Sequence, residues 1–125
     1  MIVATGIDLV EIARIRRALE THGARFRNRV FTLEEIEYSE RQGARFASYA
    51  ARFAAKEAVM KALGTGWAAG VRWLDIEVRR SDAGAPTVYL SGRALEILTE
   101  KGVRKAHLSL SHSDELAIAQ VILET

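Results

Sequence analysis

One run of this chain leaves its fold little freedom. From residue 44 to 63 the sequence is dense in helix formers, with Ala47, Ala50, Ala51, Ala54, Ala55, Ala58 and Ala62 spread through it, and Gly64 and Gly66 follow at once. That pattern predicts one long helix with a glycine stop, and its small side chains let neighbouring elements come close. Taken in steps of three and four, Phe46, Ala50, Phe53, Glu57, Met60 and Gly64 fall on one narrow stripe, because successive residues turn by roughly 100°. Glu57 stands at the centre of that stripe. An acid on an inward stripe loses hydration, so it has to be paired, metal-bound or protonated. Glu57 is therefore the first candidate for chemistry.

The rest of the chain reads as one domain of 125 residues built around that helix. With no cysteine, disulfides, thiolate metal sites and cysteine nucleophiles are excluded, and a reducing, cytoplasmic setting is the expectation. The N-terminus lacks the basic lead and apolar run of a signal peptide, and no apolar run is long enough to span a bilayer. A net charge of +2 says less than its distribution. Residues 11–30 hold six arginines against two glutamates, residues 34–40 hold four glutamates and no cation, and residues 41–61 hold five cations against Glu57. The basic blocks suit a phosphate or an acidic protein.

The element pattern is α+β. Residues 2–9 read as a short apolar strand, and residues 11–21 as a helix with Ile12, Ile15 and Leu19 inward and Gly23 as its stop. Residues 24–30 form a short helical turn, and Thr32-Leu33-Glu34-Glu35 is a capping box opening a helix to about residue 41. After the long helix, residues 74–79 alternate apolar and charged as a half-buried strand does, Ser81 to Pro86 is turn chemistry, and residues 87–90 return. Ser91 is placed to cap a helix ended by Gly102, and strands at 107–111 and 116–123 close the chain. Adjacent hairpins argue for a mostly antiparallel sheet packed on the long helix and several shorter ones.

Four constellations carry the candidate chemistry. Asp8 lies inside the apolar first strand; it either caps the following helix or meets Glu57 across the fold, where two carboxylates need a cation or a shared proton between them. Hard oxygen ligands without a histidine pair favour magnesium. Lys61, four residues after Glu57, reads as its helical ion-pair partner, while Arg52 and Lys56 repel each other unless an anion lies nearby. Ser109 to Asp114 contains Ser, His and Asp, but neighbouring strand residues point to opposite faces, so a local triad is ruled against. His112 is better read as a hydrogen-bond donor to a ligand or as a satisfied core histidine. The glycines of Gly64 to Gly70, Trp67 among them, follow a helix rather than a strand, opposite to the order of nucleotide loops, and read as a helix stop and mobile loop.

Three segments together, Gly6-Ile7-Asp8, Phe53-Ala54-Ala55-Lys56-Glu57-Ala58 and Ser109-Leu110-Ser111-His112-Ser113, resemble the small phosphopantetheinyl transferases that make holo acyl carrier protein in bacterial fatty-acid synthesis. The resemblance runs nearly the full chain. It implies transfer of the phosphopantetheine arm of coenzyme A to a serine of apo acyl carrier protein, in a magnesium-dependent homotrimer with sites at the subunit boundaries. It further implies that Asp8 and Glu57 hold the metal and, with Lys61 at the pyrophosphate, form the catalytic set. Arg52, Lys56, Lys61, Gly64, His112 and Ser113 then contact coenzyme A, with His112 near the adenosine phosphate end. Arg14, Arg25 and Arg29 dock the acidic carrier. The general base stays open between Glu57 and a water on the cation held by Asp8. A basic nucleic-acid-binding module is the alternative, but the arginine block lacks interleaved aromatics and buried acids would oppose a phosphate path; no nucleic-acid or membrane partner is expected.

Overall fold

A computed structural model of the chain describes residues 1–66, 69–80 and 84–125. The element order is β1 (Ile2–Glu11), α1 (Ile12–His22), α2 (Ala24–Val30), α3 (Leu33–Glu40), α4 (Arg45–Leu63), a 3-10 turn (Trp73–Asp75), β2 (Ile76–Arg80), β3 (Pro86–Leu90), α5 (Gly92–Glu100), β4 (Lys105–His112) and β5 (Leu116–Glu124). Trp67 and the first half of the expected turn, Ser81 to Ala83, lie outside the described residues.

All strand pairs are antiparallel, as expected, but they form two sheets: β1-β5-β4 and the hairpin β2-β3. The α+β reading holds. The three-stranded sheet lays Val10, Ala117, Ala119, Val121 and Leu123 against α4, which is buried at nearly every position from Ala47 to Leu63. The expected single apolar stripe on α4 is therefore too narrow. A helix enclosed on all sides needs apolar or small residues all round, and the alanines supply them; Glu57 is one of its few half-buried positions rather than the middle of a dry face.

One contact sets the distance between α4 and β1. A Cβ placed on Gly6 would lie 1.9 Å from the carbonyl oxygen of Ala58. Only glycine allows the strand backbone so near the helix, which brings Asp8, two residues on, and Glu57, one residue before Ala58, to the same boundary.

Two local expectations change and one is met in full. Residues 74 and 75 belong to a 3-10 turn rather than to β2, because the buried Asp75 side chain accepts from the Arg72 backbone N–H at 3.0 Å and from its guanidinium at 3.0 and 3.2 Å. Ser91 precedes α5 without a side-chain cap bond. The capping box is present in full: Thr32 Oγ1 accepts from Glu35 N at 3.3 Å, and Glu35 Oε1 accepts from Thr32 N at 2.9 Å.

Candidate active site

The β1–α4 boundary carries the first cluster. Lys61 Nζ donates to Asp8 Oδ1 at 3.0 Å and to the Ile7 carbonyl at 3.0 Å. The expected partner of Lys61 was Glu57, but its ion pair is with Asp8, since the strand passes nearer the end of the lysine than the helix's own preceding turn. Burial, then the neighbouring Asp8 carboxylate, pushes the Glu57 carboxyl above its usual range, and Lys61 and Arg14 act in the opposite sense. Asp8 and Glu57 thus lie near enough across the β1–α4 boundary for each to feel the other's charge. Two half-shielded carboxylates that repel each other fit a hard divalent cation, which would relieve that repulsion. Among the described residues no group of three or more His, Cys, Asp or Glu is placed to hold a metal; two protein carboxylates suit magnesium, which keeps waters or phosphate oxygens in its remaining positions.

Arg14 reaches the same boundary from α1. Its guanidinium lies over the Phe53 ring, 5.5 Å from the centroid, and Phe53 is stacked on Trp73 at 5.0 Å. Phe53 is one turn before Glu57 on the same side of α4. Arg25 and Arg29 are exposed on α2, and Arg29 borders an apolar cavity of about 400 Å³ with Val71, Trp73 and Leu74.

Elsewhere on the molecule, Arg52 and His112 line a cavity of about 190 Å³ together with Tyr38, Ser48, Arg80 and Ser111. Arg52 is buried; it donates to the Ser48 hydroxyl at 2.9 Å and to the Ser48 carbonyl at 3.3 Å, and lies 4.2 Å from the Tyr38 ring centroid. Its Nε finds no hydrogen-bond partner among the described residues, so one donor stays unsatisfied beside the cavity. His112 is exposed, which removes the core-histidine reading. Its Nδ1 lies 3.2 Å from the Ser113 carbonyl, an acceptor only, so Nδ1 carries the proton and Nε2 is left for a ligand. Tyr38 and Arg80 were not singled out from the sequence. Both read as ordinary members of a helix face and a strand end, and only the packing of β2 beside α3 and α4 joins them to Arg52.

Three expected coenzyme contacts have part or all of their hydrogen-bonding capacity already in use. Lys56 is fully buried; its ammonium pairs with Glu35 Oε1 at 2.8 Å, donates to the Trp73 carbonyl at 3.1 Å, and also donates to the Ile76 carbonyl. Three protein acceptors saturate it, so it meets no anion. The N–H of Gly64 closes α4 onto the Met60 and Lys61 carbonyls at 3.0 and 3.1 Å, with φ of 77°, and is not free for a phosphate. The Ser113 hydroxyl accepts from Glu115 N and Leu116 N at 3.3 and 3.2 Å and holds the β4–β5 turn.

The comparisons with known proteins decide the family. A profile of the 4'-phosphopantetheinyl transferase superfamily matches residues 4–121. The chain belongs to that superfamily. It is 51% identical over 124 residues to the holo-[acyl-carrier-protein] synthase of Solibacter usitatus, covering 99% of each chain. The crystal structure of the holo-[acyl-carrier-protein] synthase from Neisseria meningitidis matches with a TM-score of 0.90 and 33% identity over 100% of both chains. That of the Helicobacter pylori enzyme in complex with coenzyme A matches with a TM-score of 0.84 and 32% identity, over 96% of this chain and 99% of the other. Within this transferase superfamily, then, the β1–α4 carboxylates and the Arg52–His112 cavity are the two polar clusters to be explained.

Proposed function

We propose that this chain transfers the 4'-phosphopantetheine group of coenzyme A to a serine of apo acyl carrier protein, releasing adenosine 3',5'-bisphosphate and supporting fatty-acid synthesis in the cytoplasm. The observation that carries the reading is the approach of Asp8, which Lys61 holds, and Glu57 at the Gly6–Ala58 contact, in a chain about half identical to a holo-[acyl-carrier-protein] synthase along its length.

Asp8 and Glu57 would hold magnesium, which when bound supplies positive charge at the pyrophosphate. The serine Oγ forms a bond to the phosphorus that bears the pantetheine arm. The bond from that phosphorus to the oxygen bridging it to the adenosine half breaks, and the leaving phosphate keeps the electron pair. The serine proton needs an acceptor, and either Glu57 or a water held beside Asp8 would take it. Lys61 keeps its ammonium at the same boundary to offset charge on the leaving phosphate. Arg52, with one guanidinium N–H unengaged, would take the 3'-phosphate end of the nucleotide in the cavity that His112 also lines. Arg14, Arg25 and Arg29 would meet acidic side chains of the carrier, with association that weakens as salt rises.

A homotrimer with interfacial sites belongs to the same proposal. The cavity lined by Arg52 and His112 includes none of Asp8, Glu57 and Lys61. On the outer side of the three-stranded sheet Val3, Ile7 and Leu9 are exposed beside Asp8, and Ile118 and Ile122 on β5 are only partly covered. A second copy packed there would shield this apolar surface and bring its own half-site to the carboxylates.

The deciding experiment mixes the purified protein, coenzyme A, magnesium and apo acyl carrier protein and weighs the carrier. A gain equal to one phosphopantetheine group is expected; an unchanged carrier beside an active control enzyme would sink the reading. Sedimentation at several protein concentrations tests the trimer, and a monomer throughout would remove that part.

A further inference from the structure

The arginines of α1 and α2 look alike in sequence, but they do different things in the fold. Arg25 and Arg29 stand on the exposed face of α2. Arg14 projects from α1 onto the Phe53 ring, and that ring is fixed from another direction by Trp73. Trp73 is itself held where its backbone carbonyl accepts from the buried Lys56 ammonium. The guanidinium thus rests on a ring anchored in the core, a placement that keeps its charge while limiting its freedom.

Position along α4 gives this placement its meaning. Phe53, Glu57 and Lys61 are spaced four apart and follow one another along one side of the helix. Arg14 over Phe53 stands one turn before Glu57, and Lys61 stands one turn after it. The carboxylates are therefore bracketed by two cations, one from α1 and one from α4. A pyrophosphate seated at the carboxylates has two phosphate groups, and the Asp8-bound Lys61 is near only one end of the bracket.

We infer that Arg14 is a catalytic residue that binds the transferred phosphate group of coenzyme A, on the side of Glu57 opposite Lys61, in addition to any contact with the carrier. This rests on the transferase reading above. In the step already written, the serine Oγ–phosphorus bond forms and the bond to the bridging oxygen breaks. Arg14 donates two N–H bonds to the non-bridging oxygens of that phosphorus and neither gains nor loses a proton, since a guanidinium stays charged. Its planar fork suits a group whose charge spreads over equatorial oxygens during transfer.

A docking arginine and a phosphate-binding arginine separate in measurements that leave the carrier out. Binding of coenzyme A to the whole protein, followed by calorimetry without carrier, is expected to weaken about tenfold in Arg14→Ala and to recover partly in Arg14→Lys, since a charge-assisted bond to phosphate is lost in the first and replaced by a point charge in the second. With carrier at saturation, kcat of Arg14→Ala is expected to fall about a hundredfold, as for loss of one preorganised donor to a developing charge. Arg25→Ala is the comparator, raising the KM for carrier while coenzyme A binding holds. Arg14 is exposed at the helix surface, so both variants are expected to fold, with the melting curve as the check. Unchanged coenzyme A affinity and unchanged kcat in Arg14→Ala, with only the KM for carrier raised, would overturn the inference. An inactive wild type that still loses coenzyme A affinity on Arg14→Ala would overturn the transferase reading and leave the anion contact standing.

Discussion

Helix α4 carries two lysines five residues apart, and the fold treats them as opposites. The Lys56 side chain is 0% exposed and pairs with an equally buried Glu35, while the Lys61 side chain is 55% exposed and pairs with Asp8 at the molecular surface. The first pair is closed. Glu35 spends one oxygen on the lysine and on the Thr32 N–H, and the other on the Val78 N–H at 2.9 Å. Burial lowers the proton affinity of Lys56, opposed by the charge of Glu35. The second pair is open: one further carboxylate, Glu57, stands beside it with no cation in bonding contact among the described residues, and water or a ligand can enter. The same chemical pair therefore serves as a tie between α3, α4 and β2 in one place and, on the proposed function, as part of the reaction site in the other. What differs is whether the remaining lone pairs are already taken.

The largest expected effect tests the open side. Asp8→Ala and Glu57→Ala should each lower the transfer rate about a thousandfold or more, since both remove charge placed for the reacting phosphates, with little change in the melting curve. Mass of the carrier after a timed reaction checks the rate; a variant within a few-fold of wild type would remove that carboxylate from the site. The closed side should behave in reverse. Lys56→Met leaves Glu35 buried and unpaired, a loss of about 3–5 kcal/mol in unfolding by urea. The double variant Glu35→Leu with Lys56→Met should regain most of that loss, because no uncompensated charge remains. If the double variant is no more stable than the single one, the pair is more than a tie.

Lys61→Ala comes next. At an exposed pair it should cost about 1 kcal/mol of stability or less, yet slow transfer about a hundredfold; a stability loss as large as that of Lys56→Met would erase the contrast between the two lysines. The smallest effect concerns pH. The folded chain binds the Glu57 proton more tightly than the unfolded chain does, because burial and Asp8 raise its pKa from the ordinary 4.5. Stability is therefore lost as pH rises through that raised value. Metal-free Glu57→Gln should melt a few degrees above wild type at about pH 8, with the gain vanishing as pH falls below the ordinary carboxylate value. A gain independent of pH would show that ionisation of Glu57 is not its source.

Much of the framework was legible because its signals are local. The limits of α4 follow from helix formers ending at Gly64, and the start of α3 follows from Thr32 and Glu35, whose reciprocal bonds are both present. Asp8 and Glu57 stood out because each is an acid in an apolar pattern. The two lysines could not be told apart in this way, since Lys56 and Lys61 sit in similar helical sequence. What buries Lys56 is the passage of residues 73–76 over α4, and what buries Glu35 is the arrival of the Val78 N–H forty-three positions along the chain. Gly64 shows a related limit: a motif position indicates that a residue is near a site, whereas its hydrogen bonds show that its N–H is already used; the Ser113 hydroxyl only accepts in its turn, so its own O–H stays available. The start of β2 failed because Leu74 to Arg79 alternates regularly, and alternation cannot reveal that Asp75 turns back on Arg72.

The Gly6–Ala58 contact has a consequence in time as well as in space. The separation of the β1 and α4 backbones that carry the two carboxylates is set by main chain against main chain, with no side chain between that could rotate or compress. Slow opening of the protein should therefore begin elsewhere, at the hairpin β2-β3 and at α5, which pack on the body through fewer buried residues. In hydrogen exchange, the amides of α4 from Phe53 to Val59 should be among the last to take up deuterium. The groups that meet the substrate would then ride on the slowest-opening part of the molecule, and partial unfolding at the periphery would leave their spacing unchanged.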